Sequence, residues 1–484
     1  MSKMKTLILL FIGISTFTYA QNCNCETNFD WVKKTFEAND AGFQYIIDKK
    51  GTDSYKIHND NFLKKIKNTK SDVECTQILY QWLKYFRSGH IAISRKGNQN
   101  SSVSNQTNKA IVETPKLESV KIDLNIFSKY VADLKIADIE GIWESEPYII
   151  GVKKFKDSYK GFIIETSAEN WKPKDLKFTL DLEKKKGIYY PKNKIPFDVN
   201  SFEMMGNNHF KIGQFIFTRK SQKYENEKAI DLYVKSTTTF TPFLEKLNSS
   251  TIYMRIPSFD VENRKAIDSI LSVNKTLLLN TENLIIDLRN NGGGSDNSFR
   301  EILPYLYTNP VRNVGVQFFS TELNNKYIYN IYQNAEKYGI SAEGKAEYKE
   351  FYDKLSENLG KYVDMSDEIV GIKKYPTIFP NPKNIGIIIN EGNASATEQF
   401  LLAAKQSKKV KTFGIPTMGA LDVSNMNFVE SPCKDFELGY TISKSFRIPK
   451  FAIDDIGIQP DYYLDSKIPE YRWIEYVNEV LNTK

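Results

Sequence analysis

Three stretches of this chain hold residues whose types and spacing could do chemistry. Ser395 lies in Asn390-Glu391-Gly392-Asn393-Ala394-Ser395-Ala396-Thr397-Glu398, between the apolar run Ile385-Gly386-Ile387-Ile388-Ile389 and a helical stretch to about residue 408. A serine at a helix N-terminus meets free N–H groups and the positive end of the helix dipole, which stabilise a developing negative charge. The same residues also spell a capping box, Ser395-x-x-Glu398, in which the serine merely closes the helix. The second stretch is Arg289-Asn290-Asn291-Gly292-Gly293-Gly294. Consecutive glycines let backbone amides converge on one point, so the run could hold a phosphate or a reaction oxyanion, or be an ordinary tight turn. It lacks the Lys-Ser/Thr of a P-loop and the spacing of a dinucleotide fingerprint. The third centres on His90. The chain has three histidines. His58 lies in a polar stretch, and His209, after Asn207-Asn208, is expected in a loop. His90 stands where a helix gives way to the alternation His90-Ile91-Ala92-Ile93, placed to act as a base or to serve structure alone.

The elements that must position these residues change character along the chain. Residues 26 to 87 read as helical, with Val73, Ile78, Leu79, Trp82, Leu83 and Phe86 on one stripe and Ser71 and Asp72 as cap residues. Residues 96 to 112 are rich in Asn, Ser, Gln and Thr and read as a linker. Residues 115 to 225 carry short strands such as Tyr148–Val152 and Gly161–Ile164, and Trp143 and Trp171 are expected in the core of a β-rich domain. From about 228, apolar strands (252–256, 284–288, 385–389) alternate with amphipathic stretches. That pattern indicates a mostly parallel sheet covered on both faces, with functional groups beyond the carboxyl ends of its strands. The expected division is 1–20, 21–95, 96–114, 115–227 and 228–484.

Bulk properties limit the function. The 484 residues are 41% hydrophobic and 26% charged, an ordinary globular balance. Lys3 and Lys5, the apolar run Leu7–Ile12 and Thr18-Tyr19-Ala20 read as a secretory signal peptide cleaved near Ala20, so the mature protein is expected to be exported, periplasmic or extracellular. No later segment reads as a membrane span. The net charge of +7 falls to +5 on cleavage and forms no dense block, so nucleic acid is not an expected partner. The cysteines are Cys23, Cys25, Cys75 and Cys433. Export favours disulfides; three pairings are possible, the simplest joining Cys75 to Cys23 or Cys25. Cys-Asn-Cys has no second pair or histidine cluster to make a zinc site, and no metal or organic cofactor is expected.

Together these stretches resemble a family. NLIIDLRNNGGG at 283–294, GNASATEQFLLAAKQ at 392–406 and TFGIPTMGA at 412–420 are similar to signature segments of the tail-specific (carboxyl-terminal processing) serine proteases. The resemblance covers roughly residues 228 to 465, with a weaker echo at 82–93. It implies a crotonase-like α/β core (the ClpP/crotonase superfamily), an N-terminal helical region and a β-rich insert, with Ser395 as the nucleophile of a peptide hydrolase. Members with a Ser–Lys dyad carry a lysine where this chain has Ala420. The tricorn-like branch uses a histidine and a late acidic residue instead. RSGHIAI at 87–93 and IDDIGIQPD at 453–461 resemble those segments. The resemblance thus implies His90 as general base and Asp454 as the group fixing its tautomer, with amides of Gly292, Gly293 and Ala396 as the oxyanion hole. That branch often has Ser before the histidine; here Gly89 stands there, with Ser88 one place earlier. The β-rich region shows no carboxylate-binding loop of the PDZ type, so peptide or protein hydrolysis is implied without tail specificity. Two other readings are a non-catalytic binder of peptides or hydrophobic ligands on the same scaffold, and a phosphate-binding transferase supported only by Arg289.

Overall fold

The computed structural model describes residues 23–96, 117–220, 224–225 and 227–483. The expected signal peptide and nearly all of the expected linker lie outside them. The described residues divide into two compact units, one drawn from 23–96, 316–367 and 422–451, the other from 117–315, 368–421 and 452–483. A linear reading does not suggest this division, because each unit is assembled from three separated segments.

In the first unit, helices Cys25–Asn39, Phe43–Lys50, Thr52–Lys67 and Asp72–Leu83 pack with Phe29, Phe36, Trp82 and Phe86 fully buried. Ser71 caps the last of these helices, accepting from the Glu74 amide. The same core takes in Phe436, Leu438, Tyr440 and Ile442 from the long strand Phe436–Ser445. That strand pairs antiparallel with Ala92–Arg95, Val316–Phe319 and Val423–Glu430. Two disulfides tie the unit, Cys25–Cys75 and Cys23–Cys433. The first is one of the two pairings expected for Cys75. The second closes a loop of 410 residues and has no signal in cysteine spacing.

In the second unit, residues 141–219 form one nine-stranded antiparallel sheet. Trp143, Ile150, Phe178, Phe210 and Phe217 are fully buried in its core, and Trp171 is buried at its margin. His209 opens the strand His209–Ile212 rather than sitting in a loop. Its ring bonds Thr218 Oγ1 at 3.1 Å and Asp231 Oδ1 at 3.0 Å, a structural role.

The other sheet of this unit runs Phe243–Lys246, Thr251–Arg255, Asn283–Asp287, Asn384–Ile389, Val410–Gly414 and Tyr462–Tyr463. The first pairing is antiparallel and the others are parallel. Strand residues alternate between two cores, as the two-residue pleat requires. Ile252, Met254, Leu284, Ile286, Ile385, Ile387 and Ile389 meet helices Val261–Val273 and Ala396–Ala404 on one face. Tyr253, Ile285 and Ile388 meet helices Lys228–Thr238 and Trp473–Asn482 on the other. Burial on both faces explains why these strands read as continuous apolar runs. Because the strands are parallel, the loops after Asp287, Ile389 and Gly414 emerge at one end.

Candidate active site

Asp287 is the first positioning group at that end. It is a charged residue inside an apolar strand and is fully buried. Its carboxylate accepts from Tyr253 Oη at 2.7 Å and from Arg289 Nε at 3.0 Å, with Arg255 Nη1 at 3.6 Å. Burial by itself would raise this carboxyl, but Arg289, Arg255 and the tyrosine hydroxyl outweigh it and hold it at about 2. Arg289 is thereby spent inside the protein, and also donates to the Glu470 carbonyl at 2.8 Å. It is not available to a phosphate, which removes the only support for a phosphate-binding transferase.

A set of asparagines then joins the two loops. Asn390 Oδ1 accepts from the Asn290 amide at 2.8 Å, and Asn390 Nδ2 donates to Asn290 Oδ1 at 3.0 Å. Asn393 Nδ2 donates to the carbonyls of Leu288 and Asn291, and Asn393 Oδ1 accepts from the Asn390 amide at 2.8 Å. Thr397 Oγ1 donates to Asn291 Oδ1 at 2.7 Å. Short amides suit this task because each offers a donor and an acceptor to neighbouring backbone. Their density in both loops was the signal in the sequence for this network.

Ser395 stands at the turn from strand Asn384–Ile389 into helix Ala396–Ala404 with φ 57° and ψ −126°. A positive φ at a non-glycine residue stores strain of about 1–3 kcal/mol, which the surrounding bonds must offset. Its side chain makes no capping hydrogen bond to the helix. The capping-box reading therefore fails at its defining bond. Glu398 keeps a hydrogen bond to the Ser395 backbone and also reaches the loop after Gly414, accepting from Thr417 Oγ1 and from the amides of Gly419 and Ala420 at 2.8 Å. Burial raises the Glu398 carboxyl, and these hydrogen bonds oppose the rise. Ala420 returns the contact, its carbonyl accepting from the Ser395 amide at 3.0 Å. Ala420, small and buried, thus serves Ser395 through its backbone.

The glycine run lies against this turn. A Cβ on Gly293 would come within 2.8 Å of Ser395 Cβ and 3.0 Å of the Ala396 nitrogen, so only glycine allows this approach. The Gly293 amide, expected in the oxyanion hole, is taken: it donates to Asn291 Oδ1 at 3.0 Å. Asn291 folds back two residues along its own chain, an interaction that spacing does not reveal. The amides of Gly292 and Ala396 have no acceptor among the described residues. For Ala396 this follows from its place at the start of a helix.

Asp454 lies in the turn Ile453–Gly457 of the same unit, and its Oδ1 accepts from the Leu421 amide at 2.7 Å. That bond fixes the backbone just beyond Ala420. His90 belongs to the other unit, with φ 52°. Arg87, paired with buried Asp40 at 2.9 Å, donates to the His90 carbonyl at 3.0 Å and holds its backbone. His90 Nδ1 lies 2.7 Å from the Val423 carbonyl oxygen. A carbonyl can only accept, so Nδ1 carries the proton and Nε2 keeps its lone pair, the tautomer that a general base requires. The Val423 carbonyl, in the same unit as His90, thus favours this tautomer. No side-chain motif can announce a backbone carbonyl. Burial lowers the His90 pKa below 6.5; the Val423 bond opposes this and Arg87 adds to it. His58, by contrast, bonds the Trp82 carbonyl among aromatic rings and is structural.

Residues 250–464 match the model of Peptidase family S41. The match covers less than half of the chain. The matched residues include Asp287, Ser395 and Asp454 but not His90. Mature CPAF is similar in fold, with TM-score 0.51 at 13% sequence identity over 95% of this chain and 96% of that one. Mature CPAF complexed with lactacystin gives 0.52 at 14% identity, over 95% and 97%. No curated protein matches the chain by sequence. Among the described residues no helix is long and apolar enough to cross a membrane.

Proposed function

We propose that this chain hydrolyses peptide bonds through an acyl-enzyme on Ser395, with His90 as general base. The observation that carries the proposal is the backbone of Ser395, a strained strand-to-helix turn in which the hydroxyl is not used as a cap. Ser395 Oγ attacks the peptide carbonyl carbon as its proton passes to His90 Nε2. The oxyanion is met by the amides of Ala396 and Gly292. Collapse expels the amine, which takes the proton from the imidazolium, and water then cleaves the ester by the same steps. Gly293 joins the oxyanion hole only if its amide leaves Asn291. Asp454 contributes by fixing the loop at Leu421. The parallel sheet with helices on both faces supports a crotonase-like core. The two disulfides support export, since such bonds persist in oxidising compartments.

The test is covalent labelling by a fluorophosphonate, with peptide hydrolysis measured beside it and lactacystin as a second probe. Wild-type protein is expected to be labelled on Ser395, and Ser395→Ala to lose both labelling and turnover while melting as before. If Ser395→Ala keeps its turnover, the nucleophile is elsewhere. An unlabelled, inactive wild type that still binds peptide would favour the non-catalytic binder.

A further inference from the structure

A pocket of about 420 Å³ lies in the second unit beside the Ser395 helix. That volume is in the range of small-ligand sites. Gln399 and Ala403 line it, four and eight residues after Ser395 and so along one side of the helix, beginning roughly 6 Å from the serine. Asp296 lines it as well, three residues after Gly293, which itself packs against Ser395. The pocket therefore borders the turn that holds the nucleophile.

Its walls are of two kinds. Phe299, Leu303, Ala403 and Tyr375 supply apolar surface. Asp296 supplies a carboxylate that is open to solvent yet walled by protein. Among the described residues it forms no ion pair and its side chain no hydrogen bond. Two cations, Arg300 and Lys373, also line the pocket, and among the described residues neither pairs with Asp296. Arg300 Nη2 donates to Asn297 Oδ1 at 2.5 Å, and Lys373 Nζ lies 5.8 Å from the centroid of the Tyr375 ring. Glu301 and Arg300 bring opposite charges near Tyr375. Burial pushes the Asp296 carboxyl up to about 6, with no cation pulling it down. An unpaired acid beside apolar walls is complementary to an aliphatic stem with a cationic head.

Resting on the reading of Ser395 as nucleophile, we propose that this pocket is a specificity subsite for a lysine or arginine side chain of the substrate, with Asp296 as its counter-ion. The test uses peptide pairs that differ only in lysine against norleucine, its neutral isostere, at each position around the cleaved bond. The ratio of kcat/KM within a pair is expected to favour lysine at one position by on the order of tenfold to a hundredfold, the value of a hydrogen bond to a charged group. In Asp296→Asn that ratio should fall to near one. It should also fall in the wild type below about pH 6, as Asp296 protonates. Binding of the same pairs to Ser395→Ala, with and without Asp296→Asn, reads the subsite without catalysis. A lysine preference in binding that Asp296→Asn removes supports the subsite even if no peptide is cleaved. No lysine preference at any position, or one that Asp296→Asn leaves intact, overturns it.

Discussion

Lys177 offers a test of how this fold tolerates charge. It lies in strand Leu176–Asp181 of the nine-stranded sheet and is fully buried. Its Nζ finds no hydrogen-bond partner among the described residues. The ammonium stands 3.6 Å from the centroid of the Tyr148 ring, 4.1 Å from Trp171 and 5.0 Å from Tyr189. Burial lowers its pKa from 10.5 to about 7. At about 1.36 kcal/mol for each tenfold change in proton affinity, a charged lysine there opposes folding by roughly 4–5 kcal/mol. The direction in pH follows. Between about 7 and 10.5 the unfolded chain holds the proton and the native chain does not, so stability rises with pH across that window. Below it the opposition is complete and constant. Lys177→Met keeps the stem and removes the charge. It also removes the cation–π attraction, on the order of 1–2 kcal/mol. The expected net effect at pH 7 is a stabilisation of roughly 2–4 kcal/mol, shrinking to below about 1 kcal/mol at pH 10. Urea unfolding followed by tryptophan fluorescence, to which Trp143 and Trp171 of this sheet contribute beside Trp31, Trp82 and Trp473, is measured at both pH values and in both proteins. A variant less stable than wild type at pH 7, or a gain that does not change with pH, would refute the reasoning.

Two other perturbations bear on the site. Because burial holds His90 below 6.5 and the base must be neutral, kcat/KM should rise with pH through a midpoint below 6.5. His90→Ala should lose about 10²–10⁴ in rate, and Asp454→Asn should lose less, since it loosens a loop and leaves the Val423 bond; a midpoint near 8 or an active His90→Ala would assign the base elsewhere. Asp287→Ala strands Arg289 and Arg255 in a buried site and should destabilise the fold by about 3–5 kcal/mol, read as a lower urea midpoint; a loss under about 1 kcal/mol would mean the arginines find other partners.

The alternating core was legible because burial on both faces writes itself into the chain. Ile285, Ile286, Ile387 and Ile388 are apolar whichever way they point, so the strands and the loops after them could be placed from their runs alone. Ser395 was legible as a serine between strand and helix. Whether it capped the helix was not, since capping box and nucleophile turn share residue types and differ in φ, ψ and one hydrogen bond. The three glycines announced a close approach without saying which amide would stay open. Asn291, folding back on Gly293, decided that through a local bond that any short polar side chain could have offered. His90 was legible as the histidine at a junction, but its tautomer was set by a carbonyl 333 positions away. Asp454 was legible only through the resemblance of IDDIGIQPD to a late acidic segment, and its bond to the Leu421 amide is not written in that segment. Periodicity records which faces are buried. It carries no trace of backbone groups, which are the same at every residue, and these acquire an identity only when the chain folds and brings Val423, Ala420 and Gly419 to the residues they serve.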